Sequence, residues 1–76
     1  MEAKIMAILN DICGVEEGAL DANLDLFEAG LIDSFGVVQL LVELEEQLGV
    51  SLDIEELRRE EIATPAKIIL LAGQAL

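Results

Sequence analysis

"IDSFGVVQLLVELEEQLG", residues 32–49, decides the fold. Turning 100° per residue, a helix from about Ser34 to Leu48 collects Val37, Leu40, Leu41, Leu44 and Leu48 on one face, the face a bundle would bury. Phe35, Gln39, Val42 and Glu46 fall nearly opposite, so Phe35 and Val42 are predicted to be at least partly exposed. Glu43, Glu45 and Glu46 surround them. An apolar spot ringed by carboxylates suits a docking partner with a basic rim, although scattered surface apolars are also common. Gly49 ends the helix. At its start, Asp33 or Ser34 can act as cap, and the positive helix end favours a negative group there.

Outward from this helix, residues 2 to 13 place Ile5, Ile8, Leu9 and Ile12 at helical spacing, with Gly14 as the stop. A long loop to Gly30 follows, pinned to the core by Leu20, Leu24, Leu26 and Phe27. Asp53 with Glu56 three residues on gives a capping-box-like start for a short third helix. Thr64 and Pro65 provide N-cap and first position for the last helix. No strand-like alternation is sustained. The expected architecture is all-α, a four-helix bundle with a long first loop and a short third helix, in a single domain over residues 1–76.

Sixteen acidic residues against four basic ones give a net charge of −12, while 54% of the residues are hydrophobic. This describes an apolar core in a negative shell, which repels nucleic acid and anionic membranes and attracts basic protein surfaces. One cysteine and no histidine leave neither a disulfide nor a usual zinc cluster, and Cys13 reads as a buried thiol. The start "MEAKIMAILNDICG" lacks the apolar run of a signal peptide, and "VVQLLV" and "IILLAG" are too short to span a bilayer. A cytoplasmic location is expected.

Asp21, Asn23 and Asp25 imitate the opening of a calcium loop, but its sixth and twelfth positions hold Leu26 and Ile32 instead of glycine and glutamate. No metal site is expected. Ser34 has no histidine to take its proton, and nothing places Lys4 or Lys67 beside it, so no catalytic residue is assigned. Phe27 and Phe35 are the only aromatics, and no pocket-forming aromatic is expected around the carboxylates.

"LFEAGLIDSFGVVQLLVELEEQLGV" resembles the segment around the attachment serine of acyl carrier proteins, which share an Asp-Ser pair at the start of an acidic second helix. The likeness covers the whole chain. Within the family, "GLIDSFG", "VQLLVELEEQLGV" and "RREEIATPAKII" are most similar to the branch that serves D-alanylation of teichoic acids in the Gram-positive cell wall. Fatty-acid carriers commonly follow the serine with leucine and an acidic residue; here Phe35 and Gly36 stand. Where the D-alanylation branch often has an aromatic before "TP", this chain has Ile62 and Ala63.

The resemblance implies that Ser34 receives 4′-phosphopantetheine from coenzyme A through a separate transferase, with Asp33 helping that enzyme recognise the site. It implies loading with D-alanine as a thioester by an adenylate-forming ligase, and delivery to a membrane-bound acyltransferase complex. Phe35, Val38, Gln39, Val42, Glu43 and Glu46 match positions that touch partner enzymes. The small cargo removes the need for a large internal pocket. The chain would be a monomer, would neither bind nucleic acid nor insert into a membrane, and would be no enzyme itself. Two alternatives stay open: a stand-alone acyl or aminoacyl carrier of fatty acid, polyketide or nonribosomal synthesis, and an acidic helical adaptor with no covalent cargo.

Overall fold

The computed structural model describes residues 2–75, and among them every regular element is helical. The helices are α1 (Glu2–Cys13), α2 (Ser34–Leu48) and α3 (Pro65–Ala75), with a 3₁₀ turn at Arg59–Ile62. The apolar faces read from the sequence meet in one core. Ile5, Ile8 and Leu9 of α1 pack with Val37, Leu40 and Leu44 of α2 and with Ile68 and Ala72 of α3. Val50 and Ile62 close it from the second connection. Leu41 and Leu48, expected on the core face, are half-buried at its edge.

Both ends of α2 are fixed by local chemistry. The Asp33 carboxylate accepts the Gly36 N–H at 2.9 Å, and its carbonyl accepts the Val37 N–H at 2.9 Å to begin the helix. At the other end Gly49 has φ 69°, a left-handed conformation that glycine adopts without strain. Its N–H then donates to Glu45 O, and the Val50 N–H to Leu44 O. α3 starts as read: the Lys67 N–H donates to Thr64 Oγ1 at 3.2 Å, with Pro65 at the first position.

The second connection differs from the expected short helix. Asp53 Oδ1 accepts the Glu55 N–H at 2.9 Å and closes a turn rather than a helix. Leu52 and Leu57 are half-buried while Ile54 between them is exposed, a spacing that lays the segment across the bundle without a helical stripe. The Glu56 N–H donates to Asp53 O and the Leu57 N–H to Ile54 O, but these close only turns, and the 3₁₀ segment begins after Arg58, whose N–H donates to Glu61 Oε1 at 3.1 Å.

The first connection is held by its leucines and by the main chain. Leu20 and Leu26 are buried. The Leu26 N–H donates to Ala63 O at 2.7 Å, and the Ala66 N–H to Ala22 O at 3.0 Å, which ties this loop to the entry of α3. The calcium-like acids serve turns. Asp21 Oδ1 accepts the Asn23 N–H, and Asp25 Oδ1 accepts the N–H groups of Phe27 and Glu28.

Candidate functional site

Asp33 and Ser34 divide the work at the tip of α2. The first amides of a helix have no intrahelical acceptor, and Asp33 rather than Ser34 satisfies that of Gly36. Ser34 is the first helical residue and is exposed, so capping does not explain its hydroxyl. The turn beneath it is held close to its neighbours by Gly36. A Cβ added there would lie 2.8 Å from Ile32 Cγ1, so Ile32 or the turn would have to shift, while Ile12 Cγ2 of α1, at 3.4 Å, would be in contact.

Beside Ser34 opens a cleft of about 450 Å³. Asp33, Ser34 and Val37 form one side, and Phe27, Ile54, Leu57, Arg59 and Ile62 contribute to the rest. Phe27 therefore does line a pocket that holds a carboxylate, contrary to the expectation from the sparse aromatics. Its ring carries the Arg59 guanidinium, with Cζ 4.5 Å from the ring centroid. Lys4 and Lys67 do not line this cleft. The cleft residues Phe27, Ile54, Leu57 and Arg59 were missing from the sequence-derived site. The available signal was one of scarcity, since Arg59 is one of only four basic residues and Phe27 one of two aromatics.

The outer face of α2 has the composition read from the helical wheel. Phe35 is 77% exposed, Val38 49% and Val42 47%, with Gln39 and Glu46 also exposed. Glu43 stands apart from this group: it is half-buried, accepts a hydrogen bond from Gln47, and borders a shallow depression with Ala7 and Asp11 of α1. On the opposite edge Val38 and Val42 continue into a groove with Leu52 and Ile54. Five of the six predicted contact residues thus share one surface, and the sixth lies toward α1. Cys13 is half-buried rather than buried as expected, and this partial burial still holds its thiol above its ordinary pKa. Among the described residues no helix is long and apolar enough to cross a membrane.

Residues 3–71 match the family described as the phosphopantetheine attachment site. The D-alanyl carrier protein of Lacticaseibacillus rhamnosus is 45% identical over 71 residues, 93% of this chain and 88% of the relative. That of Latilactobacillus sakei subsp. sakei is 43% identical over 74 residues, 97% of this chain and 95% of the relative. Among solved structures, a chain from the "Crystal structure of FAD-dependent dehydrogenase" superposes with a TM-score of 0.72 at 33% identity, covering 88% of this chain and 94% of that one.

Proposed function

The chain belongs to the phosphopantetheine attachment-site family, and from that premise we propose that it is a D-alanyl carrier whose prosthetic arm is attached to Ser34. The relatives of that name match nearly its whole length. It is a carrier and not a catalyst: the group, when bound, supplies a terminal thiol that holds D-alanine as a thioester. The chain's own residues present the attachment point, shelter it and offer a surface to the enzymes that load and unload it. Residues 1–76 act together as one carrier domain in this reading.

The observation that carries the assignment of Ser34 is its release from the capping role, which leaves an exposed hydroxyl at the helix tip. The residues around it fit a phosphopantetheine group. The helix start favours a phosphodiester over a neutral group, and the adjoining cleft offers apolar walls for a flexible chain and one guanidinium for a negative charge. Asp33, beside the serine, is the residue we assign to transferase recognition.

A carrier requires enzymes that modify and load it. We assign these roles to a phosphopantetheinyl transferase, a D-alanine-activating adenylate-forming ligase and, for delivery to teichoic acid, a membrane-bound acyltransferase complex. Coenzyme A and the ligase place loading in the cytoplasm. Phe35, Val38, Gln39, Val42 and Glu46 form the surface proposed for these encounters, with Glu43 at its margin. One second reading is a carrier of a longer acyl cargo, whose chain would share the apolar wall of the cleft with the prosthetic arm.

Co-expression with a broad-specificity phosphopantetheinyl transferase tests the attachment. Intact mass is expected to rise by one phosphopantetheinyl unit in the wild type and not in Ser34→Ala, with the same helical circular dichroism in both. A wild type that gains no mass overturns the carrier reading. Incubation of the modified protein with a D-alanine-activating ligase and with a fatty-acyl ligase then separates the two cargoes.

A further inference from the structure

We infer that Arg59, held against Phe27 on the wall of the Ser34 cleft, pairs with the phosphodiester of the prosthetic arm and positions the arm along that wall. This rests on the attachment of the arm to Ser34. Modification adds a negative charge next to Asp33, on a chain whose net charge is already −12. The helix start offsets part of this repulsion, and a nearby cation is needed for the rest. The four basic side chains of the protein are not equivalent in this respect. Arg58 faces Glu60 at 3.8 Å. Lys67 borders a depression with Glu60 and Glu61, and Lys4 is exposed on α1. Arg59 alone of the four lines the cleft that Ser34 and Asp33 share, and among the described residues it has no carboxylate ion-pair partner.

Arg59 is exposed, but its side chain is anchored at one point. Its guanidinium lies over the Phe27 ring. The Phe27 N–H is fixed by Asp25 Oδ1 at 3.0 Å, and the preceding Leu26 N–H by Ala63 O. The cation–π contact with the ring uses none of the guanidinium N–H groups as hydrogen-bond donors to an acceptor atom and leaves them available to phosphate oxygens. Arg59 is thus a positioning residue, and a planar donor suits the role better than a lysine.

The test compares apo protein with protein modified to completion, as verified by intact mass, in the wild type, Arg59→Gln and Arg59→Lys. In the wild type the Arg59 Nε–H cross-peak and the amides of Phe27 and Ile62 are expected to shift on modification, and the shifts to shrink in high salt. The ³¹P resonance of the modified protein is expected to move in Arg59→Gln and to be partly restored in Arg59→Lys. An Arg59 cross-peak identical in the apo and fully modified wild type overturns the inference without recourse to any variant. So does a ³¹P resonance unchanged by Arg59→Gln. A wild type that gains no mass refutes the underlying attachment instead, so the two failures are distinct.

Discussion

At the scale of single residues, the division between Asp33 and Ser34 separates two properties that a capping serine would have merged. Asp33 holds the Gly36 N–H, and asparagine can accept the same bond. Asp33→Ala is therefore expected to lower the unfolding free energy by about 1 kcal/mol, and Asp33→Asn by only a few tenths, as measured by urea denaturation. If the charge of Asp33 serves the transferase, Asp33→Asn nevertheless slows the gain of the phosphopantetheinyl mass. Equal modification rates for Asp33→Asn and wild type would leave Asp33 with the cap alone. The Asp-Ser pair was legible in the sequence because everything that defines it lies within a few residues. Arg59 and Phe27 were not, because their meeting depends on how two distant connections are tied together.

At the scale of elements, α2 has one face that holds the fold and another that the fold does not need. Leu40 is fully buried, and Leu40→Ala is expected to cost about 2–5 kcal/mol. A core of this size supplies only about 3–5 kcal/mol, so the variant should lose much of its helical circular dichroism at 25 °C. Phe35→Ala should change stability by no more than about 0.5 kcal/mol while raising KM for the carrier in a ligase assay. The three helices were legible because strong local signals mark their ends: Gly14, Gly49, and the Thr64-Pro65 pair. The segment after Asp53 carried a start signal too, but its apolar residues do not form a helical stripe. Leu52 and Leu57 anchor it as a turn followed by a short 3₁₀ segment.

For the whole molecule, the excess of acidic groups acts in opposite senses on stability and on encounter. Screening relaxes self-repulsion within the folded chain, so the melting temperature should rise between about 50 and 500 mM salt. Over the same range the association rate with a basic-rimmed partner enzyme should fall several-fold, as stopped-flow measurement would show. An association rate indifferent to salt would remove electrostatic steering from the account. The main-chain bonds from Leu26 to Ala63 and from Ala66 to Ala22 join segments about half the chain apart. Helices form from neighbouring residues, whereas these ties must wait for a long loop to close. The wall beside Ser34 is therefore expected to open more readily than the helices, in local excursions that leave them formed. Faster hydrogen exchange at the Leu26 and Ala66 amides than in the middle of α2 would show the shelter of the serine loosening while its helix holds.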